Sequence, residues 1–489
     1  MSADKTPWYY LPAEIRILIL ETLLQDGCSL ASFATVSREW QTIIERHNFA
    51  RIKLTPSRLI NFDVMIHRNR ALVRYIWLCI EFEEYDCDLC VPQLEMMGIS
   101  NQDDTLTFIA ILDLFSTLST WEPNGNLLLD ISVYSPSDSE YWFKYLTFEP
   151  DIASDECDLD QCLEQSILNK LDDHQHGWVA GSQYSVPPGS AIHKVFFEIM
   201  SEELFGDKQE DQWLELLPLV PVVTGVLLRQ QSRRRWKPTT LALMFVRLPS
   251  LKEIYYEPWM EWHDDYQTWT DQSYTSLFKS LASRELQKLV VFENFNQQYP
   301  LSDDMFGCPS SRIPNSYVIR AVANASLNLE HLSASFIVDS SYFFDNCEPS
   351  WKWSRLVSLT LTSRLLTPHE STIEVDNMLR EAASAAIKMP KLEILEIWNR
   401  QEGLAPAVIT WRGTWEFVLQ PAVVQAWEAV AFKRGGNGST IVKELLDSTI
   451  IKSHGDATHH LRLLNPVIRP VSLRQIRMEH RARMGEYKW

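Results

Sequence analysis

Cys87 and Cys90 stand in a C-x-x-C arrangement within EYDCDLC, and Cys157, Cys162, His174 and His176 follow in an acidic stretch. Thiolates and imidazoles in such numbers can hold zinc tetrahedrally. The second cysteine pair has the wrong spacing for a compact knuckle and no glycine-bounded turn supports it, so unrelated thiols are expected and no metal site is assigned. The run RGGNGST, Arg434 to Thr440, is glycine-rich but lacks the G-x-x-x-x-G-K-[ST] spacing that sets backbone amides and a lysine around phosphate. A loop is the better reading. G-x-S-x-G, H-E-x-x-H and the kinase motif set do not occur. A non-catalytic protein with no cofactor is therefore expected.

The stretch YYEPWMEWHDDYQTW, Tyr255 to Trp269, crowds aromatic and acidic side chains behind an apolar run. Aromatics are favoured anchors at interfaces, and carboxylates among them suit a basic segment of a partner. Tyr256, Trp259 and Trp262 are accordingly the candidate substrate-binding residues. The competing reading packs Trp259, Trp262 and Trp269 inside the protein, since most of the 18 tryptophans must be structural. Two basic runs, Arg229 to Lys237 (RQQSRRRWK) and Arg474 to Trp489 (RQIRMEHRARMGEYKW), have the composition of import signals or patches for acidic partners. A solvated edge and a mobile tail are expected instead.

These groups sit in a chain of 489 residues, 45% hydrophobic and 22% charged, with ample apolar material for a large core. The formal net charge of −19 argues against nucleic-acid binding, which needs a cationic surface. The first ten residues lack a basic segment followed by an apolar core, so secretion is not expected. The most apolar later run, LLPLVPVVTGVLL, is broken by Pro218, Pro221 and Gly225 and is too short for a membrane span. Eight cysteines are too sparse for a disulfide scaffold and fit a reducing cytoplasmic or nuclear location.

The N-terminal stretch WYYLPAEIRILILETLLQDG is more apolar than one helix of a small domain requires. On a helical wheel Glu14, Glu21 and Gln25 share a narrow polar sector, while Ile15, Ile17, Ile19, Leu20, Leu23 and Leu24 spread around most of the remainder. Pro12 suits the first helical position and Gly27 the stop. Ser29 can cap a short segment with Leu30, Phe33 and Val36, and Ser37 can cap a third carrying Trp40, Ile43, Ile44 and His47 at helical spacing. The doubled apolar face marks either a helix buried all round or an interface.

Leu11-Pro12-Ala13-Glu14-Ile15, Leu30, Val36-Ser37 and Trp40 resemble, in order and spacing, the F-box, a three-helix motif that docks on the Skp-type adaptor of a cullin–RING ubiquitin ligase. The resemblance implies adaptor-binding roles for Leu11, Pro12, Ile15, Ile19, Leu20, Leu30, Val36 and Trp40. It further implies a partner complex of Skp-type adaptor and cullin, with an unidentified protein target. The alternative function is an F-box scaffold acting outside ubiquitin transfer.

Beyond residue 60, runs of the form L-x-x-L-x-apolar begin at Leu251, Leu286, Leu329, Leu356 and Leu392, with helical stretches before several of them. Their intervals, about 27 to 43 residues, are longer and less regular than the roughly 20 to 29 of leucine-rich repeats. LVRYIWLCIEF from Leu72 and NLLLDISVY from Asn126 are further strand candidates, separated by a helical TLTFIAILDLFSTLS. These phrases resemble fungal F-box proteins with leucine-rich-repeat-like C-terminal regions. The expected fold is thus an α+β repeat protein: a three-helix F-box over 1–55, an irregular leucine-rich-repeat-like solenoid over 56–450 whose open concave face reads the target, and a basic tail over 451–489. The alternative is an ordinary α/β domain with strand–helix alternation.

Overall fold

The structure, a computed structural model, describes residues 8–25, 30–86, 101–123, 125–151, 172–200, 216–261, 263–296, 299, 312–399, 407–408, 411–415, 418–433 and 443–484. Cys87, Cys90, Cys157, Cys162, Trp262 and the Arg434–Thr440 run lie outside these residues.

Short apolar runs rich in Leu, Ile and Val form nine parallel strands: β1 (Arg51–Leu54), β2 (Tyr75–Glu81), β3 (Leu127–Tyr134), β4 (Val223–Leu228), β5 (Glu253–Tyr256), β6 (Lys288–Phe292), β7 (His331–Asp339), β8 (Ser358–Thr362) and β9 (Ile394–Trp398). They lie side by side in chain order, and β10 (Ala407–Val408), β11 (Trp411–Gly413) and β12 (Lys443–Leu445) extend the sheet beyond β9. The register aligns one apolar residue from each parallel strand: Ile52, Ile76, Leu129, Val226, Ile254, Leu289, Leu332, Leu359 and Leu395. Side chains alternate between faces along a strand, so this row looks to one side. Against it pack α3 (Asn101–Ser119), α5 (Pro238–Val246), α6 (Asp264–Leu281), α7 (Ser316–Ala325), α8 (Thr372–Ala386) and α9 (Pro421–Lys433), joined in one apolar core. A shorter helix, α4 (Gly189–Phe196), belongs to a separate aromatic cluster.

The opposite face overturns the expectation of an F-box followed by a leucine-rich-repeat solenoid. The architecture is α/β: one large parallel sheet with interleaved helices, Rossmann-like in that alternation, with the strands in simple chain order. A solenoid's concave ladder would stand open to a target. Here the corresponding row, Asp130, Leu227, Tyr255, Val290, Ser333, Thr360 and Glu396, is buried. The chain itself covers it. The backbone N–H groups of Leu464 and Asn465 donate to Glu396, Asn465 Nδ2 donates to Thr360 Oγ1, and Arg469 donates to Asp151 with its guanidinium 5.0 Å from the Tyr255 ring centroid. Helices α10 (His454–Leu461) and α11 (Pro470–Met484) flank this crossing, and Ile451, Ala457, Leu461, Val467 and Ile476 bury Phe292 and Trp398. Strands β2, β4 and β6, buried on both faces, read as near-continuous apolar runs, whereas β8 (SLTLT) alternates because polar groups of the crossing segment meet its second face.

The expected solvated basic edge is also corrected. Arg229, Arg233 and Arg234 are buried at the carboxyl ends of β3–β5, where Arg229 pairs with Asp130 at 2.8 Å, Arg233 with Glu479 at 2.9 Å and Arg234 with Asp138 at 3.0 Å; Arg235 pairs with Glu261. Arg474 to Met484 is packed helix, and Glu479 of this otherwise basic run holds both Arg233 and Arg483. A buried charge must be paired and hydrogen-bonded, and these arginines are placed accordingly.

Candidate functional site

Two surfaces are candidates for function. The first is N-terminal. Helix α1 (Ala13–Gln25) starts after Pro12, whose carbonyl accepts from the N–H groups of Ile15 and Arg16. A short 3-10 helix follows at Leu30–Thr35. Ser37 then caps α2 (Arg38–Ala50), accepting from Trp40 N–H at 3.3 Å. Trp40 is half-buried, 5.3 Å from Trp8 and 6.0 Å from Phe33 between ring centroids. Glu39 fastens the helices, accepting from Arg16 Nε at 2.9 Å and Trp8 Nε1 at 3.1 Å. The hydrogen bonds from Arg16 and then Trp8 hold its carboxyl below the usual range. Arg16, which interrupts the apolar wheel, thus joins α1 to α2.

Leu20, at 2% exposure, and Ile44 are buried where these helices pack, so Leu20 is not available to a partner. Leu11 is half-buried and Pro12 exposed. Ile15, Ile17, Leu18 (58%) and Ile19 stay exposed on α1, joined by Tyr10, Phe33 and Val36 (61%). Seven large apolar side chains within 27 residues are therefore left open to solvent, a concentration that marks an interaction surface. Ile15, Ile19 and Val36 are among the residues to which the F-box resemblance gives an adaptor-binding role. Leu18 is not among them, and its exposure depends on which side of α1 meets α2. Helix α2 runs without a linker into β1, which pairs with β2, so this unit is mounted on the edge of the sheet.

The second surface lies at the carboxyl ends of β5–β9. A cavity of about 80 Å³ is lined there by Met260, Glu293, Phe295, Arg312, Phe336, Asp339 and Asn399, among others. An outer cleft of about 330 Å³ adjoins it, sharing Met260, Arg312 and Pro314 and adding Glu261, Asp264, Gln267 and Asp271. Arg312 is buried between Asp271 and Glu293, donating to Glu293 Oε1 at 2.7 Å. Glu293 Oε2 and Arg312 Nε have no hydrogen-bond partner among the described residues. Burial pushes the Glu293 carboxyl up to about 7 against the pull of Arg312, with Asp271 adding to the rise. Phe336, on the cavity wall, has φ of 64°, in the left-handed region, within the register shift between Ala334 and Asp339 of β7. Such conformations cost roughly 1–3 kcal/mol and concentrate at functional sites.

Of the sequence-derived substrate anchors, Tyr256 and Trp259 are buried. Trp259 donates from Nε1 to Gln230 O at 3.1 Å, meets Phe196 edge-on at 5.1 Å and carries the Arg233 guanidinium 4.0 Å above its ring. Their acidic neighbours Glu261 and Asp264 line the outer cleft. His176, considered above as a metal ligand, is buried with Nδ1 at 2.7 Å from Asp173. Linear reading missed Arg312, Asp271 and Glu293 because they come from three separate segments; only their convergence at the strand ends makes them a site.

Residues 280–469, from the end of α6 to the segment crossing the sheet, match a family described as a family of unknown function (DUF6546). No curated protein matches the chain. No helix among the described residues is long and apolar enough to cross a membrane.

Proposed function

We propose that the chain is the substrate-recognition subunit of a Skp–cullin–F-box ubiquitin ligase, with its N-terminal helices docking the Skp-type adaptor and its α/β body holding a target protein. The observation that carries this reading is the exposed apolar set of Tyr10, Ile15, Ile17, Leu18, Ile19, Phe33 and Val36 on a small helical unit at the sheet edge. Ile15 and Val36 of this set belong to the stretches that resemble the F-box, while Leu11 and Trp40 are half-buried. Burial of such side chains on docking contributes about 25 cal/mol per Å² of apolar surface removed from water. The subunit performs no bond chemistry in this scheme. It supplies proximity, turning encounters between a target lysine and a charged carrier into a tethered reaction.

Co-purification of the full chain with a Skp-type adaptor and cullin tests the proposal. Leu18→Asp and Val36→Asp, both at exposed positions, should abolish adaptor capture while leaving the melting temperature unchanged. Capture by both variants at the wild-type level would remove the helices from the interface. A target protein should persist longer in cells carrying either variant.

A further inference from the structure

Glu293 is 1% exposed, lines the inner cavity and has one oxygen, Oε2, with no hydrogen-bond partner among the described residues. Its other oxygen is engaged by Arg312, which also serves Asp271. One guanidinium therefore faces two carboxylates. Glu261 is neutralised by Arg235, and Asp264 adds an exposed carboxylate to the outer cleft. Asp339 and Arg364, on the far wall, offset each other at 3.7 Å. The remaining charge is negative, inside walls formed by Met260, Phe295, Phe336 and Pro314. A buried carboxylate oxygen left without a donor carries a desolvation cost that a ligand donor removes.

We infer that this cleft is a subsite for a lysine side chain of a partner polypeptide, with the alkyl stem between Met260, Phe295 and Phe336 and the ammonium donating to Glu293 Oε2. The inner cavity of about 80 Å³ suits the end of one side chain. The outer cleft, with Met260, Ile313 and Pro314 beside Asp264 and Gln267, gives the flanking peptide both apolar and polar contacts. Lysine buries its methylenes along apolar surface while its ammonium seeks charge, which is the division of surface found here. The inference deepens the substrate-receptor reading by naming a feature of the target, and it rests on that reading for the partner's being a protein.

The test uses the full chain and a library of fluorescent dodecapeptides, each with a single central lysine, screened by polarisation. Every peptide that binds is remade with acetyl-lysine at that position. Acetylation should weaken binding at least tenfold, Glu293→Gln should weaken it about tenfold, and the exposed Asp264→Asn about two- to fivefold. Asp264→Asn and the acetylated peptides keep the test decisive if Glu293→Gln fails to fold. Absence of any lysine-dependent peptide, equal binding after acetylation, or displacement of peptide by n-butylamine at peptide-like concentrations overturns the inference. Adaptor capture is measured on the same preparations. Lysine-dependent binding without adaptor capture would retain the subsite and reject the ligase reading, and the reverse result would do the opposite.

Discussion

Replacing Glu479 isolates the contribution of the C-terminal helix to the body of the protein. Its carboxylate accepts from Arg233 at 2.9 Å, Tyr299 Oη at 2.9 Å, Asn296 Nδ2 at 2.7 Å and Tyr145 Oη at 3.3 Å, with Arg483 at 3.2 Å. Glu479→Ala leaves two buried guanidiniums, Arg233 and Arg483, without this anion. Breaking a buried pair from one side costs about 3–5 kcal/mol. At about 2.1 cal/mol/K of unfolding entropy per residue, the whole chain unfolds with roughly 1 kcal/mol/K, so a cooperative melt should fall by about 4 °C. Glu479→Gln should fall nearly as far, because it restores shape but not charge. Burial alone would raise this carboxyl, but Arg233 and Arg483 outweigh it and hold the group below its usual value of 4.5. A depressed carboxylate stabilises the fold above its unfolded pKa and loses that contribution as pH falls through the folded one. The gap between wild type and variant should therefore be full at pH 7 and shrink only below about pH 4.5. Scanning calorimetry across this range measures both quantities. A variant melting within 1 °C of wild type at pH 7 would refute the assignment of α11 as a structural clamp.

Leu18→Asp on the open side of α1 should change stability by less than about 0.5 kcal/mol while eliminating adaptor capture, whereas Leu20→Asp should unfold the N-terminal unit; denaturant melts beside pull-downs separate the two. Trp259→Ala should destabilise by about 3–5 kcal/mol through loss of a buried ring, and an unchanged denaturation midpoint would return Trp259 to the surface. Asp104 is buried, accepts from Met200 N–H at 3.0 Å, and burial pushes its carboxyl up to about 6, with Asp103 adding to the rise. A raised carboxyl pKa stabilises most below the unfolded value of 3.8 and loses that contribution as pH rises through about 6. Asp104→Asn should consequently gain about 2 kcal/mol on wild type between pH 4.5 and pH 8, and equal melts at both pH values would contradict the assignment.

Local pattern determined much of the secondary structure. Runs beginning at Leu251, Leu286, Leu329, Leu356 and Leu392 supply β5–β9, and the stretches between several of them supply α6, α7 and α8. Ser37 caps α2 as its spacing predicts, because capping needs only groups within one turn. Strand β4 was concealed in LLPLVPVVTGVLL, where a strand buried on both faces gives no alternation to read. Strand β1 is four residues long and directly follows a helix, so it leaves no period at all.

The layer arrangement and the sites were decided only by tertiary structure. Alternating strands and helices fit both an open solenoid and a sheet covered on both faces; the choice falls to residues 464–469, whose backbone satisfies Glu396 and whose arginine satisfies Asp151. Arg233 reads as solvated among its basic neighbours, yet its carboxylate is 246 residues away in Glu479. Arg312 meets Asp271 and Glu293 in the same manner, from separate segments joined at the strand ends. The apolar excess of α1 was visible in the sequence, but which half of it is open depended on where α2 packs. Periodicity encodes how much surface a segment must bury; the distant partner that buries it, or leaves it free, is set by the fold.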